Sequence, residues 1–172
     1  RCPTPHCTKT SSDSAPAAWL LGSGVVLHIV ELAAEQTHPL RRAVLRDGTA
    51  TAEVVFDGDE LASTFHLGIG SDDEPVAVST WLERRYPDRP ADPGYQLRGM
   101  ATRPDYRGAG FGSALLEAGI EICRKRGATL VWARARDSAL EFYEHRGFGV
   151  TGSGYVDLAT GVPHHDVIRD LI

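Results

Sequence analysis

Residues 95–126 read YQLRGMATRPDYRGAGFGSALLEAGIEICRKR, and this stretch decides how the chain is understood. Residues 96–102 suit a half-buried strand, with Leu97, Met100 and Thr102 on a pleated surface. Pro104 and Asp105 end it, because proline cannot extend a ladder and the pair favours a turn. A loop follows, Arg107-Gly108-Ala109-Gly110-Phe111-Gly112, and a helix starts inside its last glycines with Ser113 in the first turn. Phe111, Leu115, Ala118 and Ile122 keep helical spacing. Arg124, Lys125 and Arg126 place cations in the last turn, and Gly127 suits the left-handed cap.

Such a loop has a direct chemical use. Glycine permits positive φ and lets a ligand approach without meeting a Cβ. Successive N–H groups at a helix N-terminus converge on one spot, where the helix dipole favours negative charge. A phosphate or pyrophosphate fits there, with Arg107 adding a charge-assisted contact. The plain alternative is a strand-to-helix turn that uses glycine only for geometry.

The surrounding text distinguishes the two. Pro104-x-Tyr106-Arg107-x-x-Gly110-x-Gly112 after a strand resembles the acetyl-CoA pyrophosphate motif of the GNAT N-acetyltransferase superfamily. Downstream, Ala139-x-x-Phe142-Tyr143-x-x-x-Gly147-Phe148 resembles the second hallmark of that superfamily, a tyrosine-bearing helix that ends in Gly-Phe. Two motifs in this order are far more specific than either alone. The resemblance runs from residue 67 to the C-terminus and only loosely covers the first half.

The resemblance implies an α/β (α+β) fold, with a mixed, mostly antiparallel sheet, a central βαβ crossover and flanking helices. It implies acetyl-CoA as cosubstrate, its pyrophosphate held by Arg107, Gly108, Ala109, Gly110, Phe111, Gly112 and Ser113. The pantetheine arm would run beside the preceding strand at Met100, Ala101 and Thr102, with a bulge at Arg98-Gly99 splaying that strand from its neighbour. Tyr143 would be the general acid on the leaving sulfur. Arg136 stands where superfamily sequences often carry a cofactor-contacting asparagine; arginine there would reach a phosphate or simply cap the sheet end.

Length and composition set the outer bounds. The 172 residues suit one domain with a sizeable core. Net charge −5 and pI near 5.8 give no electrostatic case for nucleic-acid binding. Lysine occurs only at Lys9 and Lys125, and richness in alanine, glycine and arginine is associated with high-GC bacterial sources. Cys123 reads as a buried free thiol, while Cys2, His6 and Cys7 lack a fourth ligand for zinc. Residues 1–18 read as a flexible tail and residues 19–172 as a single domain. The apolar run 19–30 is broken by Gly22-Ser23-Gly24 and is too short to span a bilayer, so a cytoplasmic protein without membrane contact is expected.

Working outward, residues 25–31 read as the first strand, and Thr37-His38-Pro39 as the capped start of a short helix. The resemblance places the acceptor wall near here, which makes Arg41, Arg42 and Arg46 candidates for substrate contact; a solvated helix face is the alternative. Turn signals fill residues 49–60, then residues 61–69 and 76–82 pair around the polar turn 71–75. Residues 84–93 form a charged, proline-rich loop. After the central helix come a strand at 129–134, a helix opened by the capping box Ser138-x-x-Glu141, and closing strands at 148–156 and 164–171.

The expected chemistry is acetyl transfer to a primary amine of a small molecule or peptide, by direct attack in a ternary complex in a monomer or homodimer. The alternatives are a GNAT-shaped module that senses acetyl-CoA without transferring it, and a nucleotide-binding α/β domain. An amine of pKa about 10 needs a base. Glu31, Asp57, Glu60, His66, His164 and His165 are all candidates, and no motif selects among them.

Overall fold

The structure is a computed structural model describing residues 17–20, 26–70 and 74–171. Residues 1–16 of the expected tail, with Cys2, His6 and Cys7, lie outside the described residues, as do Asp72 and Asp73. The elements in chain order are β1 (Ala17–Leu20), β2 (Val26–Leu32), α1 (Ala34–Leu45), β3 (Phe65–Gly70) and β4 (Pro75–Glu83). They continue with β5 (Gly94–Thr102), α2 (Phe111–Lys125), β6 (Leu130–Arg136), α3 (Leu140–Glu144), β7 (Gly149–Val156) and β8 (Pro163–Asp170). Among the described residues the strands form one eight-stranded sheet ordered β1-β2-β3-β4-β5-β6-β8-β7. Every pairing is antiparallel except β5 with β6, which α2 joins as the crossover. The mixed, mostly antiparallel sheet expected from sequence is therefore present.

Alternation along the strands assigns the two faces. On one face Phe65, Leu67, Trp81, Tyr95, Leu97, Val131 and Ala133 pack against Leu115, Leu116, Ile120 and Cys123 of α2. Phe65 and Trp81 stack at 5.9 Å with planes 4° apart. The other face is covered in two places. Leu40 of α1 packs with Leu32, Val78 and Ala101, and Tyr86 from the loop 84–93 packs edge-on against Trp132 beside Leu130.

Three local expectations are corrected. Strand β1 occupies Ala17–Leu20, so Ala17 and Ala18, the last two residues of the expected 1–18 tail, lie in a strand. Helix α1 starts at Ala34, three residues before Thr37, because the Gln36 side chain accepts the Ala33 N–H at 2.7 Å. Thr37 then lies inside the helix, its hydroxyl donating to the Ala34 carbonyl at 2.6 Å, and Pro39 is tolerated because the lost bond falls at exposed Glu35. Finally, Ser138 and Glu141 form no capping box. Asp137–Ala139 make a 3₁₀ turn and α3 begins after Ala139 with no side-chain cap.

Two features of the sheet open the site. Between β4 and β5, Val78 faces Ala101 and Thr80 faces Arg98, so Gly99 and Met100 share Ser79 as partner in a bulge. Gly99 sits at φ +59, and a Cβ there would meet Arg41 Nε at 2.8 Å. Meanwhile β5 and β6 pair only from Gly94–Leu130 to Leu97–Ala133 and then part. The edge of β5 beyond Leu97 is left without a strand partner on that side.

Arg41, expected as a substrate contact, is fully buried behind this bulge. Its guanidinium donates to Asp59 at 2.5 and 3.2 Å, to the Thr80 hydroxyl at 2.5 Å and to the Val54 carbonyl at 2.8 Å, and it stacks 4.3 Å from the Phe56 centroid. His66 closes the network through Thr80 (2.8 Å) and the Asp59 carbonyl (3.1 Å). This pins the irregular segment 46–64 across the sheet and sets Phe56 and Asp57 at the edge of the opening.

Candidate functional site

A cleft of about 1000 Å³ runs through the splay between β5 and β6. Of the residues singled out from sequence, Met100, Ala101, Thr102, Arg107, Gly108, Gly110, Phe111, Gly112, Ser113, Arg136 and Tyr143 all line it. Ala109 is exposed and does not.

The loop end of the cleft is a bare helix N-terminus. Gly110 caps α2 in the left-handed region at φ +87, with no side-chain cap and no acidic residue in the first turn. The first N–H groups of α2 thus face the cleft without an internal partner. Arg146 donates to the Ser113 hydroxyl, and its buried Nε has no partner among the described residues. Arg107 is exposed and makes no ion pair among the described residues. Tyr106 stacks on Phe111 at 5.7 Å and steadies the turn.

Tyr143 reaches the cleft from α3, held edge-on between Phe142 and Phe148, each at 5.3 Å. Its residue surface is 7% exposed and its hydroxyl has no hydrogen-bond partner among the described residues. Burial pushes the phenol well above its usual pKa, so it stays protonated at any working pH.

Across the sheet the cleft has a second wall. Leu97 and Ala133 face α2, so their neighbours Arg98 and Arg134 face the other way, with Gln96. Arg98 lies 4.8 Å from the Phe56 centroid and donates to the Asp57 carbonyl at 2.7 Å. Arg84 reaches Asp57 at 3.3 Å and Gln96 at 3.4 Å. Arg46 lines this wall, whereas Arg42 does not. Arg136 spans the mouth of the splay and donates to the Leu45 carbonyl. The β7–β8 hairpin supplies Asp157 and His164. Of the proposed bases, only Asp57 and His164 line the cleft; His66 is buried in the Arg41 network, where burial lowers its pKa. Sequence reading gave no site role to the side chains of Phe56, Arg84, Arg98 and Arg134, although strand alternation beside Leu97 and Ala133 carries the signal for the last two.

The sequence model of the Acetyltransferase (GNAT) family matches residues 26–148. The chain belongs to the GNAT acetyltransferase family. It is similar to the uncharacterized N-acetyltransferase YitI of Bacillus subtilis, with 26% identity over 143 residues covering 83% of this chain and 95% of that one. Among solved structures, one from Lactobacillus plantarum superposes with TM-score 0.69 at 25% identity, over 85% of this chain and 99% of the other. An aminoglycoside 6′-N-acetyltransferase complexed with coenzyme A superposes with TM-score 0.65 at 15% identity, over 84% and 97%. GNAT proteins use acetyl-CoA, and the residues present here fit it. The uncapped α2 terminus and the unpartnered Arg146 Nε suit phosphate, and the unpaired edge of β5 suits an extended amide-bearing arm. No helix among the described residues is long and apolar enough to cross a membrane.

Proposed function

We propose that this protein transfers an acetyl group from acetyl-CoA to a primary amine by direct attack within a ternary complex. The observation that carries the reading is Tyr143: a protonated, unpartnered phenol lining the same cleft as the bare α2 terminus. Acetyl-CoA supplies a thioester, an acyl donor with a thiolate leaving group. The N–H groups of residues 110–113, with Arg107 and Arg146, hold its phosphates. The backbone groups of Met100 and Thr102 on the open side of β5 align its arm, and a backbone N–H of the bulge polarises the acyl carbonyl. The Tyr143 hydroxyl donates to the departing sulfur; a phenol less acidic than a thiol acts chiefly as a hydrogen-bond donor to the thiolate.

The incoming amine loses its proton to Asp57 or His164. His164 Nδ1 sits 2.8 Å from the Val162 carbonyl, which can only accept, so Nδ1 carries the proton and Nε2 is left basic. No acyl-cysteine step is needed. Cys123 is fully buried in the α2 core, and burial raises its thiol pKa, which removes the thiolate a nucleophile requires.

The test is amine-dependent release of free thiol from acetyl-CoA across amino acids, polyamines, aminoglycosides and peptide N-termini. Release is expected with at least one class. Tight CoA binding with no release above background would make the protein a sensor rather than an enzyme. Gly110→Val should act upstream of chemistry: it strains the left-handed cap and sets a branched side chain against the phosphate approach. CoA affinity by calorimetry should fall at least tenfold, about 1.4 kcal/mol. A folded variant that binds CoA like wild type would remove the phosphate role from this loop.

A further inference from the structure

Resting on that acetyl-transfer reading, we infer that the acceptor is an amine that also carries an oxyanion, carboxylate or phosphate, held by Arg98 and Arg134 on the face of the sheet opposite α2. Seven arginines line the cleft against three carboxylates, Glu53, Asp57 and Asp157, in a chain of net charge −5. The cleft thus concentrates positive charge that the rest of the surface lacks.

Most of that charge is uncompensated. Of the seven, only Arg84 makes an ion pair among the described residues, at 3.3 Å to an Asp57 side chain that is 93% exposed. The other two carboxylates are committed locally: Glu53 accepts the Val55 N–H at 2.8 Å, and Asp157 accepts the Thr160 N–H and hydroxyl at 2.9 and 2.7 Å. Elsewhere arginines find carboxylates, as Arg41 does with Asp59, Arg89 with Asp92 and Asp170, and Arg169 with Glu117.

The two ends of the cleft divide the work. Arg107 and Arg146 flank the α2 terminus and serve phosphate there. Arg98 and Arg134 lie across the sheet, where strand alternation turns them away from α2. Arg98 is half-buried with a carbonyl and an aromatic face for neighbours and no carboxylate in contact among the described residues. Burial is the largest cause that weakens its hold on the proton, and Arg84 and Arg41 add to it against the opposing pull of Asp59 and Asp57, neither of whose carboxylates it contacts. Arg134 is exposed toward the cleft, and its cross-strand neighbour Asp166 accepts the Tyr155 hydroxyl at 3.0 Å. An anionic group between Arg98 and Arg134 supplies the missing charge and can engage a guanidinium fork bidentately. The same field repels polyamines and aminoglycosides, which are polycations.

The test is calorimetry on CoA-saturated protein with paired probes: standard amino acids against their amides, O-phosphoethanolamine against ethanolamine, and spermidine. Each anionic probe that binds should exceed its neutral partner at least tenfold, and spermidine should bind more weakly than any of them. The amino-acid and phosphate arms identify which oxyanion is meant. Arg134→Gln, at an exposed position, should cost the anionic probe at least tenfold while CoA affinity holds, and Arg134→Lys should restore part of it. Equal binding of anionic and neutral partners, a preference for spermidine, or an unchanged Arg134→Gln together with an unchanged Arg98→Gln overturns the inference. Thiol release with only neutral or polycationic amines would leave the enzyme reading intact and sink this one. Binding of anionic amines without any thiol release would do the reverse.

Discussion

Asp59→Asn is expected to lower stability by about 3–5 kcal/mol, because it leaves Arg41 charged, buried and without its counter-ion. Both side chains are essentially inaccessible, at 0% and 1% exposure, so water cannot take the carboxylate's place. For a domain of this size the loss amounts to a fall of roughly 6–20 °C in Tm, read by calorimetry. The pH dependence follows from the same pair. Burial alone would raise the Asp59 pKa, but the Arg41 guanidinium and the Phe56 N–H outweigh it and hold the carboxyl below its usual range. Its contribution is therefore present above the unfolded pKa of about 3.9 and is lost as pH falls through the lower folded value. Asp59→Asn should flatten this acid limb of the stability curve. The double change Arg41→Met with Asp59→Leu, which removes both charges, should recover part of the loss. An Asp59→Asn protein within about 1 kcal/mol of wild type would mean that the pair does not pin the segment 46–64.

Tyr143→Phe is expected to cut turnover by about 10² or more with little change in CoA affinity or Tm. The ring stays between Phe142 and Phe148, and the lost hydroxyl has no protein partner, so no buried group is orphaned. The deficit belongs in kcat and equally in kcat/KM for the amine, since the bond to sulfur strengthens only as the thiolate departs. Because burial keeps the phenol protonated, Tyr143 should contribute no basic limb to the wild-type rate profile below pH 10. Wild-type turnover in the phenylalanine variant would reduce Tyr143 to a core aromatic.

The loop end of the cleft was legible in the sequence because its information is local. Glycine spacing, the proline before it and the helical period after it all lie within residues 95–126, and β5 and α2 fall there. A bulge was readable at Arg98-Gly99 for the same reason, and it falls one residue later, at Gly99 and Met100, with Arg98 still paired to Thr80. Element starts were less so. Thr37 and Pro39 look like cap signals, yet a glutamine side chain caps α1 three residues earlier. Ser138 and Glu141 have capping-box spacing, yet the chain enters α3 through a 3₁₀ turn, with Asp137 bonded to His165 at 2.8 Å. The second wall is non-local: Phe56, Arg84, Arg98 and Arg134 meet only because β5 pairs with β6 and Arg41 draws the segment 46–64 over the sheet. No spacing rule links residues so far apart; once the parallel pairing is granted, alternation alone puts Arg98 and Arg134 on one face.

The central claim is that one cleft holds the cosubstrate with its sulfur at the Tyr143 hydroxyl. A crystal structure of the CoA complex tests it most directly. The account predicts the pyrophosphate on the N–H groups of residues 110–113, the arm along Met100–Thr102, and the sulfur within about 3.5 Å of the Tyr143 oxygen. A pyrophosphate bound away from the α2 terminus, or a sulfur separated from Tyr143 by more than one bridging water, would contradict it.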